Sequence, residues 1–315
     1  MAIIYGRNSF IQMGEEVTWG TEVGPTVTSR IMSIDLQRTQ ERNASVSLSS
    51  GDAAFAQTFF DGNEQTGGSC EFLVYYENSG MLLKAGLGAV ATTGAGPAYV
   101  HTYTPTLNQP SLTMICQRGS GSSETFLGTK ISSFTLSCEA GGEMTGSMDV
   151  ICKTANTRAG AVTPTYTSGR QVLHFEASTF SFNGTTYDLR SMTLTVDNKL
   201  DRRFLLGSKL SAESATNDIR EVTLECTADI ESASENTLYT ESIDGDQANC
   251  EITFTNSDND IFEIKLFNSV IMNYSDSVNS VGRIERTWTM QGYSDTSNPA
   301  VHVKITNEQS SAIAN

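Results

Sequence analysis

Residues 126–154 read FLGTKISSFTLSCEAGGEMTGSMDVICKT and predict a long β-hairpin. Apolar and polar side chains alternate on both sides of Gly141-Gly142, which is the period expected of strands with one buried face. A pair of glycines between two such runs is typical of a tight chain reversal. The alternating apolar residues are Ile131, Phe134, Leu136 and Cys138 before the turn, and Met144, Met148, Val150 and Cys152 after it.

The same pattern returns at residues 266–294, which read LFNSVIMNYSDSVNSVGRIERTWTMQGYS. Ile271 stands 140 residues after Ile131, and Gly282 stands 140 residues after Gly142. Few residues are identical between the two stretches, but the apolar positions, the polar positions and the turn glycine follow in the same order. We interpret this pattern as an internal duplication.

Outward from the two hairpins, the chain predicts an all-β protein with two tandem domains. Alternating runs and turn residues fill both halves, and 315 residues are enough for two cores of ordinary size. We predict a first domain over 31–155 and a second over 171–296, joined by a linker of small residues at 156–170. An N-terminal arm precedes them at 1–30. A polar tail follows at 297–315, and we expect its last ten residues to be disordered.

Each domain is predicted to carry one short helix. In the first domain, Asn78 and Ser79 are candidate caps for a helix over 80–85. In the second domain, residues 234–239 stand at the corresponding place. A stretch rich in Gly, Asp and Ala at 51–68 predicts a long exposed loop.

Strands in the second domain are predicted to repeat the order and pattern of those in the first. Residues 192–196 match the strand at 32–36, and residues 219–229 match the run that begins at Cys70. Asn183-Gly184 marks a further tight hairpin.

Composition and charge exclude several classes of protein. The formal charge is −16, because 36 Asp and Glu outnumber 20 Lys and Arg. Proteins that read nucleic acids bind phosphates through clustered Lys and Arg, so this balance argues against that class. No run of about 18 apolar residues occurs, and the first residues lack a basic region followed by an apolar core. We therefore predict neither a transmembrane helix nor a signal peptide, and no contact with a membrane.

The cysteines are predicted to be buried thiols. None belongs to a C-x-x-C pair, so a zinc site is not indicated. In a strand-like run and a reducing cytoplasm, a thiol serves as a small apolar side chain. The predicted hairpin places Cys138 opposite about residue 145 and Cys152 opposite about residue 131, too far apart to form a disulfide. The six are Cys70, Cys116, Cys138, Cys152, Cys226 and Cys250.

No pattern predicts catalysis, cofactor binding or metal binding, so we do not expect an enzyme. His101, His174 and His302 each stand alone among strand-like residues and are interpreted as structural or surface groups. The acidic clusters at 244–246 and 258–260 are interpreted as solvated turns, because neither continues into an EF-hand loop. Nucleophile-elbow, H-E-x-x-H and Walker A motifs do not occur.

Several phrases of the sequence are informative when they are taken in order. They are Trp19-Gly20-Thr21-Glu22, Met81-Leu82-Leu83, Gly86-Leu87-Gly88, His101-Thr102-Tyr103-Thr104-Pro105, Pro110-Ser111-Leu112-Thr113, Ile131-Ser132-Ser133-Phe134-Thr135-Leu136-Ser137, Glu139-Ala140-Gly141-Gly142, Phe182-Asn183-Gly184 and Leu194-Thr195-Val196-Asp197-Asn198. Together they resemble the tail tube (major tail) proteins of long-tailed bacteriophages. No single phrase is diagnostic, and the order of all of them over about residues 10–295 carries the resemblance.

The resemblance implies a structural virion protein without a cofactor. Its domains are expected to be β-sandwiches or half-barrels that join edge to edge into rings with a β-barrel inner wall, and the rings are expected to stack through loops and terminal arms. The implied partners are copies of the chain, other tail proteins such as the tape measure and the tail terminator, and passing DNA that is not bound sequence-specifically. The implied location is the virion tail, assembled in the cytoplasm of the bacterial host. Long strands with few prolines agree with edge pairing.

Two hypotheses describe how such a tube would work. Carboxylates on lumen-facing strands repel DNA phosphates, so that the genome slides without sticking. The duplication favours rings of three chains over rings of six. Trp19 is expected to lie against either its own domain or a neighbouring subunit. The candidate contacts between subunits are Trp19, Glu22, Gly141, Gly142 and Gly282.

Two other classes of function stay open on sequence alone. A secreted or surface double β-sandwich that binds carbohydrate or acts as an adhesin would show the same alternation. It would also be expected to present clustered exposed Trp or Tyr and a signal peptide, whereas the two tryptophans here are far apart in sequence. A β-rich hydrolase would need a nucleophile with its base. Electron microscopy of the purified protein separates these classes, because only the first predicts rings or tubes.

Overall fold

The structure is a computed structural model that describes residues 5–45, 58–77, 79–119, 121–158, 162–166, 171–176, 178–230, 237–278 and 283–313. Within these residues, strands predominate and two α-helices are short, so the all-β prediction is confirmed. The strands are β1(Phe10–Glu15), β2(Val27–Ser29), β3(Ile31–Ser45), β4(Thr58–Leu73), β5(Gly88–Ala95), β6(Ala98–Pro105), β7(Leu112–Arg118), β8(Ser122–Glu139), β9(Thr145–Cys152), β10(Thr154–Arg158), β11(Ser178–Phe182), β12(Thr185–Tyr187), β13(Ser191–Asp197), β14(Leu200–Asp201), β15(Ala215–Thr216), β16(Glu221–Asp229), β17(Ala248–Thr255), β18(Ile261–Ser277), β19(Glu285–Gln291) and β20(Val301–Asn307). The helices are α1(Gly80–Leu87) and α2(Thr237–Asp244).

Antiparallel pairing joins eight strands into one sheet, called here the shared sheet. Its order is β3–β4–β9–β8–β13–β16–β19–β18. Along most of these strands buried and more exposed residues alternate, because one face packs on the core and the other turns away from it, whereas β3 at the edge is mostly exposed. Burial of one face of each strand therefore explains the alternation in the sequence from which the strands were predicted.

Two side sheets enclose the rest of the core. The first has the order β2–β1–β7–β8–β10. The second has the order β12–β11–β17–β18–β20–β6–β5. Strands β8 and β18 each begin in a side sheet and continue into the shared sheet, and apolar residues of all three sheets form one core cluster.

The two halves of the chain use the same pairing scheme. Strands β3, β4, β9 and β8 of the first half follow one another in the shared sheet as β13, β16, β19 and β18 of the second half do. The pairing of β8 with β9 is irregular between Ile131 and Ser133, and that of β18 with β19 is irregular between Ile271 and Asn273. A β-bulge therefore stands at the same place in both hairpins, at the 140-residue spacing found in the sequence.

Strand register aligns β13 with β3 differently from the sequence pattern. Cys70 of β4 lies opposite Ile34 of β3, and Cys226 of β16 lies opposite Met192 of β13. Met192 thus corresponds to Ile34, two residues later than the predicted match with Met32. The pattern misled because β3 carries its own irregularity next to Met32, whose side chain is exposed.

Hydrogen-bonded strands join the two halves, in contrast to the predicted linker and tail. Strand β8 pairs with β13, and β20 pairs with β6. The predicted linker begins inside β10, and the predicted tail contains β20, which lies between β18 and β6. Near the end of the chain, Tyr103 donates a hydrogen bond of 2.8 Å from its hydroxyl to the carbonyl of Ala312.

Helix α1 covers the predicted helix at 80–85, and α2 overlaps the residues predicted at 234–239 from Thr237 onward. Helix α1 ends at Leu87, and the following Gly88 has a φ of +130° that a residue with a side chain rarely adopts. Ser79 does not cap α1 with its side chain; its hydroxyl accepts a hydrogen bond from the Tyr75 N–H. The predicted loop at 51–68 belongs to β4 from Thr58 onward, and its earlier part, like Asn78 and residues 234–236, lies outside the described residues.

All six cysteines are free and buried in strands, as predicted. Burial raises the pKa of Cys116 to about 11 and that of Cys152 to about 12, so these thiols stay protonated at neutral pH. Ser137 lies opposite Thr145 and Lys130 opposite Ile151, which keeps Cys138 and Cys152 at opposite ends of their hairpin. Among the described helices, neither is long and apolar enough to cross a membrane.

Candidate assembly surfaces

The face of the shared sheet that turns away from the core, called here the polar face, is rich in hydroxyl and carboxyl groups. Hydroxyls and carboxylates lie opposite each other on neighbouring strands, as Ser69 does with Asp149 and Ser133 with Asp197. Ser133 also donates a 2.9 Å hydrogen bond to the carboxylate of Asp149. The face is therefore hydrophilic across its width.

Carboxylates give the polar face its charge. They are Asp35, Glu71, Glu139, Asp149, Asp197, Glu221, Glu225, Asp229 and Glu285. The basic side chain Lys130 lies at the margin of this face, where it is buried and 2.7 Å from Glu213, and Arg42 lies opposite Asp61 in the part of β3–β4 beyond the shared sheet. Arg38 and Arg286 are on the opposite face. The face is thus acidic at neutral pH.

Cations bridge the two places where carboxylates lie directly opposite each other. The bridges are Asp197–Lys199–Glu221, with nitrogen to oxygen distances of 2.7 and 2.9 Å, and Asp229–Arg190–Glu285. Hydrogen bonds to Asp197 and Glu221 raise the pKa of Lys199. Both cations are just outside the strands, so they relieve local repulsion and leave the strands themselves acidic.

The junction between the two halves is a full strand pair. Strand β8 pairs with β13 over seven residues, from Ser133 opposite Asp197 to Glu139 opposite Ser191. On the polar face, the hydroxyl groups of Thr135 and Thr195 lie 3.4 Å apart. On the core face, Leu136 lies opposite Leu194 and both are buried. This junction joins one unit of the repeat to the next.

Two edges of the shared sheet have no strand partner within the described residues. Strand β3 pairs only with β4, and β18 from Asn273 onward pairs only with β19. Neither strand contains proline. A strand edge that is long and free of proline offers unpaired N–H and C=O groups to another chain.

The two helices occupy equivalent places but differ in burial. In α1, Gly86 lies against the ring of Phe134, and in α2 the ring of Tyr239 lies 5.8 Å from that of Tyr274, which stands 140 residues after Phe134. Nearly all of α1 is buried, whereas Leu238 is the buried residue of α2. Exposed apolar side chains on α2 and next to the free part of β18 are Tyr239, Ile243, Met272 and Val278. The free edge of β18 is thus flanked by an apolar surface.

A buried carboxylate anchors the N-terminal arm. Glu16 accepts hydrogen bonds from the N–H groups of Gly20 and Gly128, at 2.7 and 2.9 Å, and from the hydroxyls of Ser111 and Thr113, at 2.8 and 3.1 Å. Its side chain satisfies donors from three parts of the chain. The sequence phrase drew attention to Trp19 and Glu22 but not to this residue, because a Glu between Glu15 and Val17 shows no sign of burial in the sequence.

Trp19 and Glu22 contact their own chain. The Trp19 indole donates a 3.3 Å hydrogen bond to the Gly128 carbonyl, and the Lys153 ammonium lies 4.7 Å from the indole ring centroid. The ring is half-buried. Glu22 is exposed and forms a 2.8 Å ion pair with Arg158. Within one chain the ring thus contacts its own domain, and a contact with a neighbouring subunit stays a prediction.

The turn glycines of the first hairpin lie at the surface. Gly141 has φ +87° and is exposed, which suits a residue without a side chain. Gly142 donates its N–H to the Glu139 carbonyl at 2.9 Å and accepts from the Phe175 N–H at 3.2 Å. Gly282 lies outside the described residues.

The β3–β4 hairpin extends beyond the shared sheet. Strand β9 pairs with β4 from Thr66 onward, so residues before Thr66 pair with β3 alone. This extension exposes Phe59 and Phe60. Large exposed aromatic side chains on a projecting hairpin are typical of a contact surface.

Residues that could in principle take part in catalysis or metal binding have structural partners. His101 bonds Thr92 at 2.9 Å, and His302 lies 2.8 Å from Glu263. Within the described ranges, no group of three His, Cys, Asp or Glu is placed to hold a metal ion. Asn256 accepts backbone N–H groups from both acidic residues of the cluster at 258–260, as a turn requires. Trp288 is fully buried, so the tryptophans do not form an exposed binding platform.

Comparison with known protein families gives a match over nearly the whole chain. A family model described as phage tail tube protein matches residues 6–300, nearly the whole chain. No curated protein matches the chain. The match covers the N-terminal arm, both hairpins and all strands up to β19. It agrees with the resemblance carried by the sequence phrases.

Proposed function

The chain belongs to the phage tail tube protein family, and from that premise we propose that it forms stacked rings whose acidic lumen conducts the genome. A member of this family is a structural protein of the virion tail that assembles with itself and with other tail proteins. We assign it no catalytic step. Among the other tail proteins, the tape measure and the tail terminator are the proposed neighbours, and assembly is proposed to take place in the host cytoplasm.

The polar face is the single observation that carries the proposal. One whole face of an eight-stranded sheet bears carboxylates and hydroxyls, with its basic side chains at the margins. Placed toward a lumen, this face repels phosphates over about a Debye length, roughly 10 Å at 0.1 M salt. DNA then meets hydroxyls and like charge, and it passes without being bound.

The repeated pairing scheme supports rings of three chains. Each chain brings two equivalent sets of four strands to the shared sheet, already joined at β8 and β13. Three copies supply six such sets, so a pseudo-six-fold wall forms without further chains. Rings of six chains are the alternative, with twice as many strands around the lumen.

Stacking of rings is proposed to use parts that project from the shared sheet. The extension of the β3–β4 hairpin exposes Phe59 and Phe60, and the N-terminal arm exposes Val17 beside the half-buried Trp19. Gly141 lies at the tip of another hairpin. Contacts of these parts with the next ring would bury apolar surface that one chain leaves open.

Electron microscopy of the purified protein tests assembly and symmetry together. We expect rings or tubes, with averages that show three-fold order and a strong pseudo-six-fold component. Monodisperse monomers at all concentrations would contradict the tube proposal. True six-fold order from identical units would agree with the tube proposal and would contradict the three-chain ring.

Charge reversal on the polar face tests the acidic lumen. Glu225 is exposed near the middle of β16, opposite Thr193 and Thr289. We expect virions with Glu225→Lys to assemble normally and to eject DNA more slowly, with the delay shrinking as salt is added. Glu308→Lys makes the same charge change at an exposed residue outside the shared sheet and serves as the control. Equal ejection rates for the two variants would refute the acidic-lumen proposal.

A further inference from the structure

We infer that the free edge of β18 on one chain pairs antiparallel with the free edge of β3 on the next, with Gln37 directly opposite Ser275. The inference rests on the proposed function and names the contact that would close a ring. The occupant of each edge is a second copy of this chain. The argument uses the junction already present inside the chain as a template.

The template is the β8–β13 junction, which joins two equivalent units. Strand β8 is the last strand of the first unit, and β13 is the first strand of the second. Strand β18 is likewise last in the second unit, and β3 is first in the next copy. If units repeat around a ring, the β18–β3 contact has the geometry of β8–β13.

The β-bulges fix how residues transfer from template to contact. They stand after Ile131 in β8 and after Ile271 in β18, so Thr135 corresponds to Ser275. The cross-strand pairs through Cys70 and Cys226 make Met192 correspond to Ile34.

The rest of the register follows by counting along each strand. Thr195 lies three residues after Met192 and therefore corresponds to Gln37, three residues after Ile34. Since Thr135 lies opposite Thr195 in the template, Ser275 lies opposite Gln37 in the contact.

Most side chains are complementary in this register; Asp276, which lies opposite the buried Leu36, has its ionic partner in Arg286 of its own chain. On the polar face, Gln37 and Ser275 can hydrogen-bond as Thr195 and Thr135 do. On the core face, Ile34 lies opposite Val278, whose side chain is 69% exposed in one chain. Arg38 lies opposite Tyr274 and diagonal to Asp276, which favours a cationic side chain there. No like charges are opposed.

Unequal burial of the helices points to the same contact. Groups of the second unit cover the end of α1: Asn198 and Arg220 donate to the Gly86 carbonyl, and Arg220 also donates to that of Leu87. No following unit is present beside α2, and its Tyr239 and Ile243 are exposed. A neighbouring copy supplies the missing unit.

Double-cysteine variants on the polar face test the register. Gln37→Cys with Ser275→Cys places two thiols directly opposite each other, about 5 Å apart between Cα atoms, within disulfide range. Gln37→Cys with Asn273→Cys and Thr39→Cys with Ser275→Cys shift the pair by two residues either way, to about 8 Å, beyond that range. Thr135→Cys with Thr195→Cys, across the internal junction, is the positive control. Native thiols do not interfere, because all six are buried.

Oxidised assemblies are then separated on denaturing gels without reductant. We expect the matched variant to give a covalent ladder that ends at three chains, the shifted variants to stay monomeric, and the positive control to form a disulfide within one chain. The register is overturned, and the proposed function is kept, if tubes form and a shifted variant is the one that crosslinks. The same conclusion follows if tubes form and no inter-chain pair crosslinks although the positive control oxidises. Absence of any ring or tube from the unmodified chain overturns both.

Discussion

Replacement of Glu16 by Gln should loosen the N-terminal arm and destabilise the protein. The carboxylate accepts four hydrogen bonds, two at each oxygen, and each oxygen faces one backbone N–H that cannot rotate. An amide offers only one accepting oxygen, so either the Gly20 or the Gly128 N–H is left facing an NH₂ group. An unpaired buried donor costs about 1–3 kcal/mol, and loss of charge from the remaining bonds adds about 1 kcal/mol.

We therefore expect Glu16→Gln to lower the free energy of unfolding by about 3 kcal/mol, measured by chemical denaturation. The matched control is Glu15→Gln at the neighbouring residue, whose carboxylate forms one partly exposed ion pair with Lys84 and should cost less than about 1 kcal/mol. Trp19 fluorescence should shift to the red in Glu16→Gln, while fully buried Trp288 reports on the core. Equal stability of the two variants would refute the role assigned to the network.

Three further outcomes are expected. Glu263 has a pKa lowered to about 2, chiefly by its hydrogen bond with His302, so its stabilisation is present above about pH 4.5 and is lost as the pH falls toward 2. Glu263→Gln should thus have a free energy of unfolding lower than that of the unmodified chain by up to about 3 kcal/mol at neutral pH. When the free energy of unfolding of both proteins is measured against pH, the two curves should meet near pH 2. A difference that stays constant with pH would contradict this. Gly128→Ala should expel the Trp19 ring, because φ is +63° and a Cβ would lie 2.8 Å from the indole nitrogen; unchanged fluorescence would count against it. Phe59→Ser should weaken stacking but not ring formation, so microscopy should show single rings in place of tubes, and normal tubes would exclude this residue from the contact.

Alternation and turn glycines were sufficient to predict the hairpin pairs, because burial on one face imposes a two-residue period on the sequence. The Asn183-Gly184 turn formed as expected, with both residues at positive φ. Alternation does not report which strand lies beside which. The pairing of β8 with β13, which unites the halves, leaves no trace in local pattern.

Bulges and buried polar groups limited the rest of the prediction. One extra residue beside Met32 changes the facing of the residues before it, so Met32 is exposed although it fits the alternation from which the match with Met192 was made. The end of the chain was taken as a polar tail because its apolar residues are few, yet Val301, Val303 and Ile305 are enough for a buried strand. Glu16 was overlooked because its partners come from distant segments.

The position of β20 has a consequence for how the protein is made. On the ribosome, β6 emerges nearly two hundred residues before β20, the strand that later covers its edge and separates it from β18. Until then the first half holds an open edge that could capture the wrong neighbour. Because β20 is made last, its pairing with β6 and β18 completes the side sheet. A prematurely terminated chain is left with exposed strand edges and is a poor candidate for incorporation into a growing tail.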